Sequence, residues 1–95
     1  MKHHIIAKFN ESVTDKKSLI SEIEALYSAA DDYPFIKSCS VIPNCVARPN
    51  RYDVMIVLTL AEADLPLWDA SDLHKTWKSR YGDFLEKKCI FDCEE

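Results

Sequence analysis

At 95 residues the chain is too short for two ordinary domains, and no Gly-, Ser- or Pro-rich stretch divides it, so residues 1–95 are read as one domain. A domain of this size hides only about 65% of its unfolded surface, which makes a second subunit an economical source of stability. A hydrophobic fraction of 47% excludes a disordered chain, and a net charge of -4 with dispersed Lys and Arg argues against a nucleic-acid partner.

The segment Met1 to Phe9 has a charged start but neither a long apolar stretch nor a small-residue cleavage site, so a cytoplasmic location is expected. From His3 to Phe9 alternation places His3, Ile5, Ala7 and Phe9 on one face of a first strand, with His4, Ile6 and Lys8 on the other. Thr14 suits an N-cap, and Leu19, Ile20, Ile23, Leu26, Tyr27 and Ala30 then recur at helical spacing, predicting a helix over 15–30. Pro34 lacks an amide donor and turns Tyr33 away from helical geometry, so the helix ends before it. A second strand is predicted over 35–45, and Pro43 within it confines that strand to a sheet edge.

After a polar turn containing Arg48, Pro49 and Asn50, residues 52–60 form the most apolar run in the chain and read as a central strand. Tyr52, Val54, Ile56, Leu58 and Leu60 point one way, and Asp53, Met55, Val57 and Thr59 the other. An antiparallel sheet covered on one face should alternate apolar with polar residues, and here both faces are largely apolar. One helical layer covers the first face; the second is expected to be covered by another copy of the chain, with Met55, Val57, Cys89 and Phe91 at the dimer interface. The bland reading leaves Met55 and Val57 against solvent or a loop. No apolar run approaches the roughly 20 residues of a membrane helix, so no membrane association is expected.

Asp64 reads as a cap followed by an early-turn Pro66, opening a short helix through Leu67, Trp68 and Ala70, and Ser71 caps a longer one carrying Leu73, His74, Trp77, Tyr81, Phe84 and Leu85 on one side, with Lys87 and Lys88 at its end. Residues 89–93 close the chain as a strand. Cys39 and Cys45, like Cys89 and Cys93, lack the tight C-x2-C spacing of zinc sites, so no metal is expected and the four thiols read as buried apolar groups. Gly82 is the only glycine; without a Gly-rich phosphate loop, no nucleotide or other cofactor is expected.

The order strand, helix, strand, strand, broken helix, strand carries Lys2-His3 at the first strand, Tyr52-Asp53 at the third, His74 early in the last helix, and Ile90-Phe91-Asp92 near the end. In this it resembles the stress-responsive α/β-barrel (Dabb) family over nearly its whole length. The resemblance implies an α+β, ferredoxin-like antiparallel sheet with helices on one face, paired sheet to sheet into a dimeric α+β barrel. The family is functionally mixed, spanning stress-induced plant proteins, bacterial proteins without an assigned reaction, and a polyketide cyclase. In the cyclase a histidine at the start of the last helix is the proposed base, a tyrosine on the short helix assists, and a first-strand histidine lines the pocket. His74 and His3 match the two histidines, and Trp68 stands where the tyrosine is expected.

Imidazole, with an unperturbed pKa near ~6.5, accepts a proton at neutral pH, which makes His74 the candidate base and His3 its support. The ordinary alternative is a hydrogen-bonded core histidine near a helix start. Ile5, Ala7, Phe9, Val54, Ile56, Trp68, Leu73, Trp77, Tyr81 and Ile90 are the expected lining of a pocket between helices and sheet, where the small Ala7 and Val54 leave room; core filling is the other reading. Arg48 and Arg51 read as a solvated turn or as an attractor of anions at a pocket mouth. Three functions follow: a homodimer binding a small apolar or aromatic molecule, a cofactor-independent cyclase or isomerase acting on a carbonyl-containing, polyketide-like substrate, and a pocketless scaffold that assembles further.

Overall fold

A computed structural model describes all of residues 1–95. Alternating apolar residues give β1, Lys2–Phe9, and the apolar stripe Leu19, Ile20, Ile23 and Tyr27 gives α1, Lys16–Tyr27. A 3-10 turn over Ser28–Asp32 leads into β2, Ile36–Pro43, followed by β3, Val54–Leu60. The short α2, Leu65–Asp69, breaks at Ser71 before α3, Asp72–Tyr81, and β4, Leu85–Cys93, completes the chain.

The four strands form one antiparallel sheet in the order β2-β3-β1-β4. This is the α+β, ferredoxin-like arrangement expected from the sequence, and β2, with Pro43 as its last residue, lies at an edge. On one face His3, Ile5, Ala7 and Phe9 of β1 join Val54, Ile56, Leu58 and Leu60 of β3 beneath Leu19, Ile20, Ile23 and Tyr27 of α1 and Leu73, Trp77 and Tyr81 of α3. No helix is long and apolar enough to cross a membrane.

The other face carries no helix. Register aligns Ile42, Met55, Ile6 and Cys89 in one row across the sheet, and Ser40, Val57, His4 and Phe91 in the next. Phe91 is 60% exposed and Ile42 44%, while Ile6, Met55 and Val57 are only partly covered. All four residues expected at a dimer interface therefore share one open, largely apolar surface.

Several boundaries differ from the sequence reading. Asp15, not Thr14, caps α1, its carboxylate accepting the Ser18 amide at 3.1 Å. β2 starts at Ile36 and stops at Pro43, after which Asn44 donates to the Asp53 carbonyl; β3 correspondingly begins at Val54. The largest difference is at the end of α3. The helix stops at Tyr81, and β4 begins at Leu85 because β1 offers a partner along its whole length, from Lys2 opposite Cys93 to Phe9 opposite Leu85. Phe84 is consequently exposed, and Lys87 and Lys88 belong to the strand. The cysteines are not buried as expected: Cys45 and Cys89 are exposed, and Cys39 and Cys93 partly so, because three of them sit on the edge strands and Cys45 in the β2–β3 loop.

Candidate functional site

The corner between α2 and α3 brings together the residues singled out by sequence. Ser71 lies in extended geometry between the helices; its hydroxyl donates to the Trp68 carbonyl at 2.7 Å and accepts the His74 amide at 3.1 Å. This fixes His74 in the first turn of α3, with its ring centroid 5.0 Å from that of Trp68. From the sheet, His3 meets the same indole edge-on at 6.4 Å. Both candidate histidines thus touch one aromatic ring that is completely buried.

Each imidazole is held by an acceptor. His3 Nδ1 is 2.5 Å from Asp92 Oδ1, its cross-strand partner, and His74 Nδ1 is 3.1 Å from the Asp69 carbonyl oxygen. A carbonyl or ionised carboxylate can only accept, so Nδ1 carries the proton in both rings and Nε2 is the basic atom of the neutral form. His3 is only 7% exposed, whereas His74 is partly exposed. A base with its tautomer fixed, beside an aromatic surface and within reach of solvent, is competent for proton transfer next to a carbonyl.

The aromatic chain continues inward, with Tyr27 at 6.2 Å from Trp68 and 5.7 Å from Trp77, and Trp77 at 5.8 Å from Tyr81. Of the expected pocket lining, Ile5, Ala7, Phe9, Val54, Ile56, Trp68, Leu73, Trp77 and Tyr81 lie in a single buried cluster, and the room above Ala7 and Val54 is closed. Ile90 stands apart. It pairs with Ile5, so it faces the helical side, but it sits on the edge strand β4 and is 50% exposed.

Sequence reasoning missed Tyr27 as a polar group. Its hydroxyl is buried without a protein hydrogen-bond partner, and burial, then the charge of a nearby Cys39 thiolate, raise its pKa. Cys39, beneath α1 on the covered face of β2, is pushed from an ordinary 9.0 to about 11 by burial and then by Asp31. It is a protonated thiol at neutral pH and a weak nucleophile. A spacing rule sees Tyr27 only as a stripe residue; nothing local marks its hydroxyl.

No family model matches the sequence, and no curated protein matches it. Solved structures do match. A dimeric protein of unknown function and ferredoxin-like fold from Bacteroides fragilis superposes with a TM-score of 0.81 at 15% identity, covering 99% of this chain and 94% of that one. A dabb family protein with a ferredoxin-like fold from Mesorhizobium loti gives 0.73 at 8% identity, with 99% and 94% covered. The hydroxynitrile lyase of Passiflora edulis gives 0.73 at 16% identity, with 95% and 87% covered. The chain has the fold of the dimeric ferredoxin-like proteins, dabb proteins among them, as the sequence resemblance implies.

Proposed function

We propose that the protein is a cytoplasmic homodimer that binds a small apolar or aromatic molecule at the histidine end of its helix–sheet layer. The observation that carries this reading is the convergence of His3 and His74 on Trp68. The interior of the layer is filled, so the ligand meets the protein at this rim, where His74 is partly exposed and an indole lies beneath it. Dimeric relatives of the same fold and the uncovered apolar sheet face support association through that face. Free thiols at all four cysteines suit a reducing compartment.

A second reading is favoured by the tautomers. With Nδ1 of both rings occupied, His74 Nε2 is free to take a proton from a bound carbonyl compound, His3 to orient it, and the fold's likeness to a hydroxynitrile lyase is consistent with carbonyl chemistry.

Ligand-observed NMR with small phenols and alkyl ketones tests both readings. Binding fragments are expected to shift the Trp68 indole N–H and His74 resonances, and His74→Ala is expected to weaken binding less than tenfold while removing any turnover found. Fragments that shift only the amides of Ile6 and Met55, or none, overturn the binding site. Turnover that survives His74→Ala overturns the base.

A further inference from the structure

A third of the chain's twelve Lys and Arg line one depression at the far end of the sheet, although the molecule as a whole is acidic. Its volume is about 320 Å³. Lys8 comes from the end of β1, Lys16 from the first turn of α1, and Arg48 and Arg51 from the β2–β3 loop. Four cations from three separate segments are thus gathered around a single carboxylate, that of Asp53.

That carboxylate is already engaged. Asp53 Oδ2 accepts the Phe9 amide at 2.8 Å, and Oδ1 accepts from Lys16 Nζ at 2.9 Å. Lys8 Nζ donates to the Pro49 carbonyl and lies 3.9 Å from Glu86 Oε2. The arginines are different. Arg51 donates one Nη1 bond to its neighbour Asn50 at 2.7 Å, and Arg48 makes no side-chain hydrogen bond or ion pair. A guanidinium has five N–H donors in a planar fork suited to oxyanions, so most of this donor capacity faces the depression unused.

The loop that presents the arginines is braced from within and against β1. Asn44 Nδ2 donates to the Val46 carbonyl at 2.6 Å, the Arg51 amide to the Arg48 carbonyl at 3.1 Å, and the Asp53 amide to the Ala7 carbonyl at 2.9 Å. Like charges held near one another without a partner repel, and an anion relieves that repulsion while satisfying the free donors.

We propose that this cleft is a binding site for a small oxyanion, the phosphate of a monoester or the carboxylate of an organic acid, gripped by Arg48 and Arg51 and attracted by Lys8 and Lys16. The site is distinct from the Trp68 corner and stands or falls separately from the function proposed there. Amide NMR titrations of the intact protein with inorganic phosphate and with citrate, at ionic strength matched by sodium chloride, test it. Saturable shifts at residues 44–53 are expected, with a Kd of about 1 mM for the preferred anion. The double variant Arg48→Ala/Arg51→Ala, whose changes fall in an exposed loop, is expected to keep the unliganded spectrum elsewhere and to bind at least tenfold more weakly. Tighter phosphate binding assigns a phosphate monoester, and tighter citrate binding a carboxylic acid. Shifts that never saturate with either anion, or equal affinity in the double variant, overturn the site.

Discussion

Tyr27 combines two roles that a hydrophobic pattern cannot separate. Its ring links Trp68 to Trp77 in the centre of the core, while its hydroxyl is enclosed without a protein partner. A buried polar group left unpaired gives up its hydration with little return. Tyr27→Phe keeps the ring and removes the hydroxyl, so it is expected to raise the unfolding free energy by about 1 kcal/mol, read as a higher urea midpoint at unchanged slope. A loss of similar size would mean that the hydroxyl is bonded in solution. The histidines were easier to place: strand parity put His3 inward, and helical spacing put His74 near the start of α3. Their shared contact with Trp68 was not legible, since it depends on the angle at which α2 meets α3.

That angle is set at Ser71, the element-scale feature on which the candidate site depends. Its hydroxyl ties the end of α2 to the start of α3, and Tyr33 adds a bond from the Leu73 amide to its phenolic oxygen at 3.1 Å. Ser71→Ala removes the cap of α3 and the bond to Trp68 together. A loss of about 1–2 kcal/mol is expected in chemical denaturation, with altered chemical shifts for the His74 ring and the Trp68 indole. Stability unchanged within error would show that the corner is held by packing alone. Ser71 and Pro43 are legible from local sequence, whereas the cap of α1 falls on Asp15 one residue past Thr14, and Asp64 makes no cap bond to α2. The α3–β4 boundary is not legible, because Trp77, Tyr81, Phe84 and Leu85 continue the helical spacing and Lys87-Lys88 resembles a helix end. What ends the helix is a partner more than seventy residues away, the full length of β1.

For the whole molecule, the decisive sequence feature was a central strand apolar on both sides, and the structure leaves one of those sides open. A contiguous apolar face of this kind is unusual on a monomer. Phe91 and Val57 lie in one row across it and contribute little to the single chain's core. Phe91→Asp is therefore expected to preserve the fold while weakening self-association by about 2 kcal/mol, roughly thirtyfold, as followed by sedimentation velocity across a range of concentrations. A wild-type chain that sediments as a monomer at micromolar concentration would defeat the pairing outright.

The outer margins of the sheet determine how far such association can run. Strands can also add side by side, and that process has no natural end point, giving ribbons and fibres. Pro43 withholds an amide from the β2 margin, and β4 presents Glu86, Lys87 and Lys88 in succession along the other. Lateral growth is discouraged on both flanks, so crowding the protein should yield discrete particles of fixed size, with no tendency to polymerise.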